Sequence, residues 1–152
     1  NLKVNADYTN ASIDEMENLD YTSDYGSIEV GEANNVLGNG DYITVKLGEI
    51  HGNVDITSDY GSIRINELAQ DAGNVSIKSD YTGIKIGYHS AYHFNFDITT
   101  RYAGVSGKED FDINISTEKS SSKHYEGFYG SKDSGNMITL NSEYGGISFT
   151  KK

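Results

Sequence analysis

Short runs of alternating apolar and polar residues fill this chain, among them Leu19-Asp20-Tyr21, Val54-Asp55-Ile56, Ile63-Arg64-Ile65, Val75-Ser76-Ile77 and Phe96-Asp97-Ile98. Alternation with period two predicts strands with one buried face. The runs come in pairs around a tyrosine. Seven copies align on Tyr8, Tyr25, Tyr42, Tyr60, Tyr81, Tyr102 and Tyr144, at spacings of 17, 17, 18, 21, 21 and 42 residues. Six and four residues before the tyrosine stand Leu2/Val4, Leu19/Tyr21, Val54/Ile56, Val75/Ile77, Phe96/Ile98 and Ile138/Leu140. The third copy departs from this with Val36 and Gly38. Three and five residues after it stand Ala11/Ile13, Ile28/Val30, Val45/Leu47, Ile63/Ile65, Ile84/Ile86 and Ile147/Phe149, and the sixth copy has Val105/Gly107.

Each copy therefore reads as two short strands with a bend between them. Gly26-Ser27, Gly61-Ser62, Thr82-Gly83, Ala103-Gly104 and Gly145-Gly146 fill the bend. Glycine suits a corner, but Ile43-Thr44 in the same place predicts a bend that does not demand a positive φ. A second punctuation follows at Gly31, Gly48, Asn66 and Gly87. Units of 17–21 residues are too short for a sandwich layer pair and too regular for a meander. Stacked at about 4.8 Å, they would align Ile on Ile and Val on Val in a thin, continuous core.

The predicted fold is all-β: a right-handed, single-stranded parallel β-solenoid (a β-helix) of about seven to eight coils in one domain, 1–152. Regular coils occupy 1–105, a degenerate coil and a long loop 106–136, and the last coil 137–150. Phe111 to Lys119 is the degenerate coil, with Lys119 in the tyrosine place. The coils are expected to stack in chain order. The polar 116–136 stretch is a candidate for blunting the open end, and Glu67 to Ala72 is the one candidate helical turn.

Composition adjusts this picture. Glycine is frequent at 17, proline and cysteine are absent, and tyrosine outnumbers phenylalanine 12 to 5. The absence of cysteine excludes disulfides and thiolate chemistry. The net charge of −11 argues against nucleic acid and anionic membrane surfaces and leaves cations, basic partners and neutral glycans open. No apolar run is long enough for a membrane helix, so no membrane insertion is expected. The chain opens on Asn1-Leu2-Lys3-Val4 without an initiator Met, which reads as a mature fragment whose signal segment is missing.

Several columns are candidates for function. Strand parity puts each tyrosine on the face of the upstream apolar pair, beside a small residue: Ala6, Ser23, Ser58, Ser79, Thr100 or Ser142. That predicts a structural ladder of rings pointing inward; an aromatic strip for sugars requires the bend to turn the tyrosine outward. Asp7, Asp24, Asp41, Asp59 and Asp80 precede the tyrosines and read as acceptors for the backbone of the bend, with Ca²⁺ as the alternative. Their mutual repulsion predicts raised carboxylate pKa values, offset locally by Arg64, Lys78 and Lys85. Asn5, Thr22, Asn39, Thr57, Lys78, Thr99 and Asn141 form an outward polar column. His89 and His93 have metal-ligand spacing only on a helix, and Phe94 already begins a strand, so no metal is expected there. Tyr125, Phe128 and Tyr129 lie in the long loop and are the candidate ligand-binding residues; an end cap is the competing reading. No nucleophile elbow, phosphate loop or Cys nucleophile is present, and no catalytic residue, metal or cofactor is assigned.

Ser58-Asp59-Tyr60-Gly61-Ser62-Ile63-Arg64-Ile65, with echoes at 23–30 and 142–149, resembles the repeat of the DUF4097-type adhesins of Bacteroidetes and related bacteria. Phe94 to Gly104 also looks like a later repeat of that family. The resemblance spans Leu2 to Phe149, least regularly over 105–136. It implies a β-solenoid, a secreted or cell-envelope location, and adhesion to a glycan or to a host or envelope surface protein. A structural spacer and a carbohydrate-active β-helix enzyme are the alternatives.

Overall fold

The computed structural model describes residues 2–152, and within them the side chains other than those of Leu2 and residues 6–9. The protein is all-β, and no helix occurs among the described residues. Its strands are β1 (Leu2–Asp41), β2 (Ile43–Ile50), β3 (Val54–Leu68), β4 (Val75–Tyr88), β5 (Phe94–Arg101), β6 (Val105–Ser106), β7 (Asp112–Glu118), β8 (Ser122–Tyr129), β9 (Met137–Glu143) and β10 (Ile147–Lys151). The Glu67 to Ala72 stretch ends β3 and then makes a tight turn, with Ala72 N–H donating to Ala69 C=O at 2.9 Å.

Pairing is mostly parallel, and its register follows the repeat. Ile28 pairs with Val45, Val45 with Ile63 and Ile63 with Ile84. On the upstream arm Val36 pairs with Val54 and Val54 with Val75. Like therefore stacks on like, and both arms of each repeat feed one core. A slip by one residue would move every apolar side chain to the solvent face, so burial fixes the register.

The irregular third copy has a steric reason. A Cβ on Gly38 would fall 2.1 Å from the Tyr21 ring, so the missing side chain at Gly38 is the space that the oversized Tyr21 fills. Tyr21 is buried, and burial drives its phenol pKa well above the ordinary value.

The stacking does not follow chain order at the C-terminal end. The strand order is β1-β2-β3-β4-β9-β5-β8-β7, so the last repeat lies between the fifth and sixth instead of beyond them. β9 runs parallel to β4 on one side and β5 on the other, and β10 likewise lies between β4 and β6. The degenerate coil is not a parallel layer. Asp112–Glu118 is the outer strand of an antiparallel hairpin with β8, and β8 pairs antiparallel with β5. The reason is in its side chains. Phe111 reaches the aromatic cluster, whereas Ile113 and Ile115 stay exposed, so the segment buries too little for a core layer.

Gly38→Ala should destabilise the fold by roughly 1–3 kcal/mol through overpacking. Combined with Tyr21→Leu, which vacates the space, it should cost less than the sum of the two single changes. Urea denaturation of the four-member cycle measures this coupling. Simple additivity would contradict the paired fit.

Candidate functional site

The tyrosine is the corner. Tyr25, Tyr42, Tyr60, Tyr81, Tyr102 and Tyr144 all have φ between 51° and 60°, and among the described residues no other non-glycine residue has a positive φ. The expectation of a bend without positive φ is thus corrected: the left-handed conformation falls on the tyrosine and not on the glycine after it. This changes the side-chain parity. Ser23, Ser58, Ser79, Thr100 and Ser142 point inward two residues before the tyrosine, and Ile43 and Thr82 point inward one residue after it. Between them the aspartate and the tyrosine face outward in succession.

The rings are therefore not buried, contrary to the inward ladder that parity predicts. The six tyrosines are 45–55% exposed. Their rings stack face to face in the order Tyr25–Tyr42–Tyr60–Tyr81–Tyr144–Tyr102, at centroid distances of 4.7–5.0 Å and interplanar angles of 2–8°. The side chain of Tyr8, the seventh member of the predicted ladder, lies outside the described residues. Left-handed backbone costs about 1–2 kcal/mol at a residue with a Cβ. A favourable aromatic pair returns about 0.5–1.5 kcal/mol, and each interior ring makes two. Each pair is shared between two corners, so stacking offsets part of the strain at the corner. It also covers the ring faces, so the column shows ring edges and hydroxyl groups to solvent.

The aspartates run beside this column. Asp24 Oδ1 accepts from Asp41 N–H of the next layer at 3.2 Å, so its bond crosses layers and does not close its own bend. Partial burial raises the pKa of Asp59, and the charges of Asp80 and Asp41 add to it. At the far end the column switches character, with Arg101 Nη1 3.9 Å from Glu143 Oε1. The Thr/Asn column is in register on the outer face, Asn39 opposite Thr57, Thr57 opposite Lys78 and Lys78 opposite Asn141.

The 122–129 segment is a strand and not a loop. Tyr125 is 2% exposed, and its hydroxyl donates to Glu118 Oε1 at 2.5 Å. Burial and this carboxylate push the Tyr125 phenol up to about 12, and the same hydrogen bond lowers Glu118. Tyr129 packs edge-on against Tyr88 and donates to Ser90 C=O at 2.7 Å. Phe128 is half-buried. Tyr129 joins Phe94 and Phe111 in a ring cluster that also holds Phe96 and Phe149, and Tyr125 is buried in the same core, so Tyr125 and Tyr129 sit in a cap. His89 Nδ1 accepts from Ala91 N–H at 2.9 Å, while His93 lies against the Tyr129 ring, so these two histidines do not converge.

Three features escape sequence reasoning. Asn35 Nδ2 donates to Asn18 Oδ1, and Asn35, Asn53 and Asn74 each accept a backbone N–H from the next layer at 2.7–2.9 Å. The signal was an Asn seven residues before Tyr25, Tyr42, Tyr60 and Tyr81. His51 joins three carboxylates, with Nδ1 2.7 Å from Asp71 Oδ1 and Nε2 3.0 and 3.3 Å from Glu32 and Glu49. Glu32, Glu49 and Glu67 are stacked in register, and like charges so placed repel. His51 sits against the first two, where its protonated form would screen them. The third feature is a meeting of Asp97, His124 and Glu126 across two strands.

Comparison with protein-family models, curated proteins and solved structures returns no match to this chain.

Two predictions follow from this geometry. Tyr60→Ala and Tyr60→Gly both remove two ring contacts, but only Ala keeps the left-handed strain. The Gly variant should be the more stable by about 1 kcal/mol in urea denaturation, the reverse of the usual order in a strand. An Ala variant at least as stable would remove the strain argument. For His51, the hydrogen bond to Asp71 and then the charges of Asp71, Glu49 and Glu32 outweigh desolvation and raise its pKa above 6.5. The folded state thus holds a proton that the unfolded chain releases. Its stabilisation is fully present below about pH 6.5 and is lost as pH climbs through the folded value. His51→Gln should flatten that part of the stability–pH curve, measured by thermal melts from pH 5.5 to 9. An unchanged slope would contradict the assignment.

Proposed function

We propose that this chain is a β-solenoid module of adhesin type, a non-catalytic part of a bacterial envelope protein, and that its tyrosine column is the docking strip. Parallel pairing at offsets of 17, 18 and 21 residues supports the solenoid reading. The adhesin reading and the envelope location rest on the repeat resemblance. The observation that carries the docking strip is the row of exposed tyrosines, ordered at 4.7–5.0 Å along one corner. Tyrosine is favoured at interfaces because it offers apolar area and a hydroxyl at little entropic cost.

Covered ring faces disfavour face-on stacking of sugars. Ring edges and hydroxyls, repeating at the layer spacing beside aspartates, suit an extended partner that supplies hydrogen-bond donors. A neutral polysaccharide chain or a basic protein surface has that chemistry; an anionic polymer does not. The burial of Tyr125 favours this column over the 124–130 segment as the site. The second reading is a spacer, and the mutual stacking that already occupies the faces of the interior rings favours it.

The test is a glycan and matrix-protein array probed with the purified chain and with the triple variant Tyr42→Phe/Tyr60→Phe/Tyr81→Phe. The variant keeps the rings and drops three hydroxyls. Binding by the parent, reduced at least tenfold in the folded variant, is expected. Binding that the variant leaves intact would place the site elsewhere, and no binding by the parent would favour the spacer.

A further inference from the structure

β5 and β8 carry a second arrangement, apart from the tyrosine column. Asp97 of β5 lies directly opposite Glu126 of β8, and Thr99 lies opposite His124. His124 and Glu126 are two residues apart on one strand, so they share a face. His124 Nε2 is 2.9 Å from Asp97 Oδ1 and 3.7 Å from Glu126 Oε2. One donor atom from each residue falls within 4.8 Å of the other two, and among the described residues this is the one trio of metal-ligating side chains so placed.

An ion pair accounts for only part of this. His124 meets Asp97 at hydrogen-bond distance, but Glu126 stays out of that range. Two carboxylates directly opposite each other across a strand pair repel. In a chain of net charge −11 this costs stability unless a cation sits between them. Donors held about 2.0–2.2 Å from one metal ion lie roughly 3–3.5 Å apart, and the His124–Asp97 and His124–Glu126 separations of 2.9 and 3.7 Å bracket that range.

We propose that Asp97, His124 and Glu126 bind one divalent transition-metal ion of the zinc type. One imidazole nitrogen and two carboxylates suit zinc, with coordination positions left toward solvent. Calcium prefers six to eight oxygen ligands, which this trio does not supply. The three side chains are 36–43% exposed, so an ion reaches them without opening the fold. The supporting strands are held on both flanks: β5 between β9 and β8, and β8 between β5 and β7. The ion would thereby staple the capping hairpin to the stack, and its open positions could take a carboxylate or imidazole from a partner.

The test uses the full chain after dialysis against EDTA. Isothermal titration with ZnCl₂, MnCl₂ and CaCl₂ is run beside thermal melts, and ¹H–¹⁵N spectra follow the imidazole signals of His124. The proposal expects one zinc per chain, a shift confined to the His124 imidazole, and a rise in Tm of roughly 5–10 °C at a hundredfold excess over Kd. Asp97→Asn and His124→Gln should each weaken zinc binding at least tenfold. Asp97→Asn should fold without metal at least as well as the parent, because it removes the facing charge. No zinc binding, or binding undiminished in both variants with another histidine shifting, would overturn the site. Calcium binding as tight as zinc would overturn the ion class.

Discussion

The fold depends on a left-handed backbone at a residue with a large side chain. Glycine would take that conformation without strain, yet tyrosine occupies it at every described corner. The ring makes this workable, because it leaves the corner outward and lies flat on the ring of the next layer. Each corner is strained alone and stabilised by its neighbours, so the column behaves as a unit. A lone copy of this repeat would have the strain without the stack. The same corner reverses the side-chain parity, which lets both arms of a repeat feed one core.

Charge and closure are managed around that column. Columns in register stack like on like, which is favourable for Ile and Asn and unfavourable for Glu and Asp. The asparagines turn the repetition into hydrogen bonds between layers, while the glutamates need His51 among them. At the C-terminal end the aromatic cluster and the β7–β8 hairpin terminate the parallel stack, leaving a short edge strand that begins at Asp112 and ends at Glu118. An antiparallel end of this kind, with charged residues at both limits of the edge, disfavours further parallel addition there.

Much of this was legible in the sequence. Period-two runs, the seven tyrosines and the apolar pairs indicate which residues are strands and which face inward. The pairs from Leu19 to Ile98 and from Ile138 to Phe149 are buried as the alternation predicts, while Val4, Ala11, Ile13 and Val105 are only partly so. The orientation of the tyrosine was also encoded, though indirectly. The apolar positions four before and three after it are an odd distance apart, so two successive residues between them must share a face. Spacing could not say whether the second of those was the tyrosine or the residue after it. The layer order was not legible. Tyr144 and Tyr102 carry nearly the same flanking pattern, so local signals cannot distinguish a last layer at the end from one between Tyr81 and Tyr102. Long-range parallel pairing of β9 with β4 and β5 decides it, and such pairing has no local signature. The Asp97–His124–Glu126 trio was hidden for the same reason, since only the long-range antiparallel pairing of β5 with β8 brings its residues together.

The layer order is the claim to which the stacked column and the cap both answer, and a chain without cysteine allows a clean test of it. Ser79 and Ser142 are register partners with hydroxyls 3.3 Å apart, within reach of a disulfide after replacement by cysteine. Under mild oxidation, Ser79→Cys/Ser142→Cys should cross-link readily and Ser79→Cys/Thr100→Cys should not. Cross-linking of the 79–100 pair in preference to the 79–142 pair would place the layers in chain order and contradict the account.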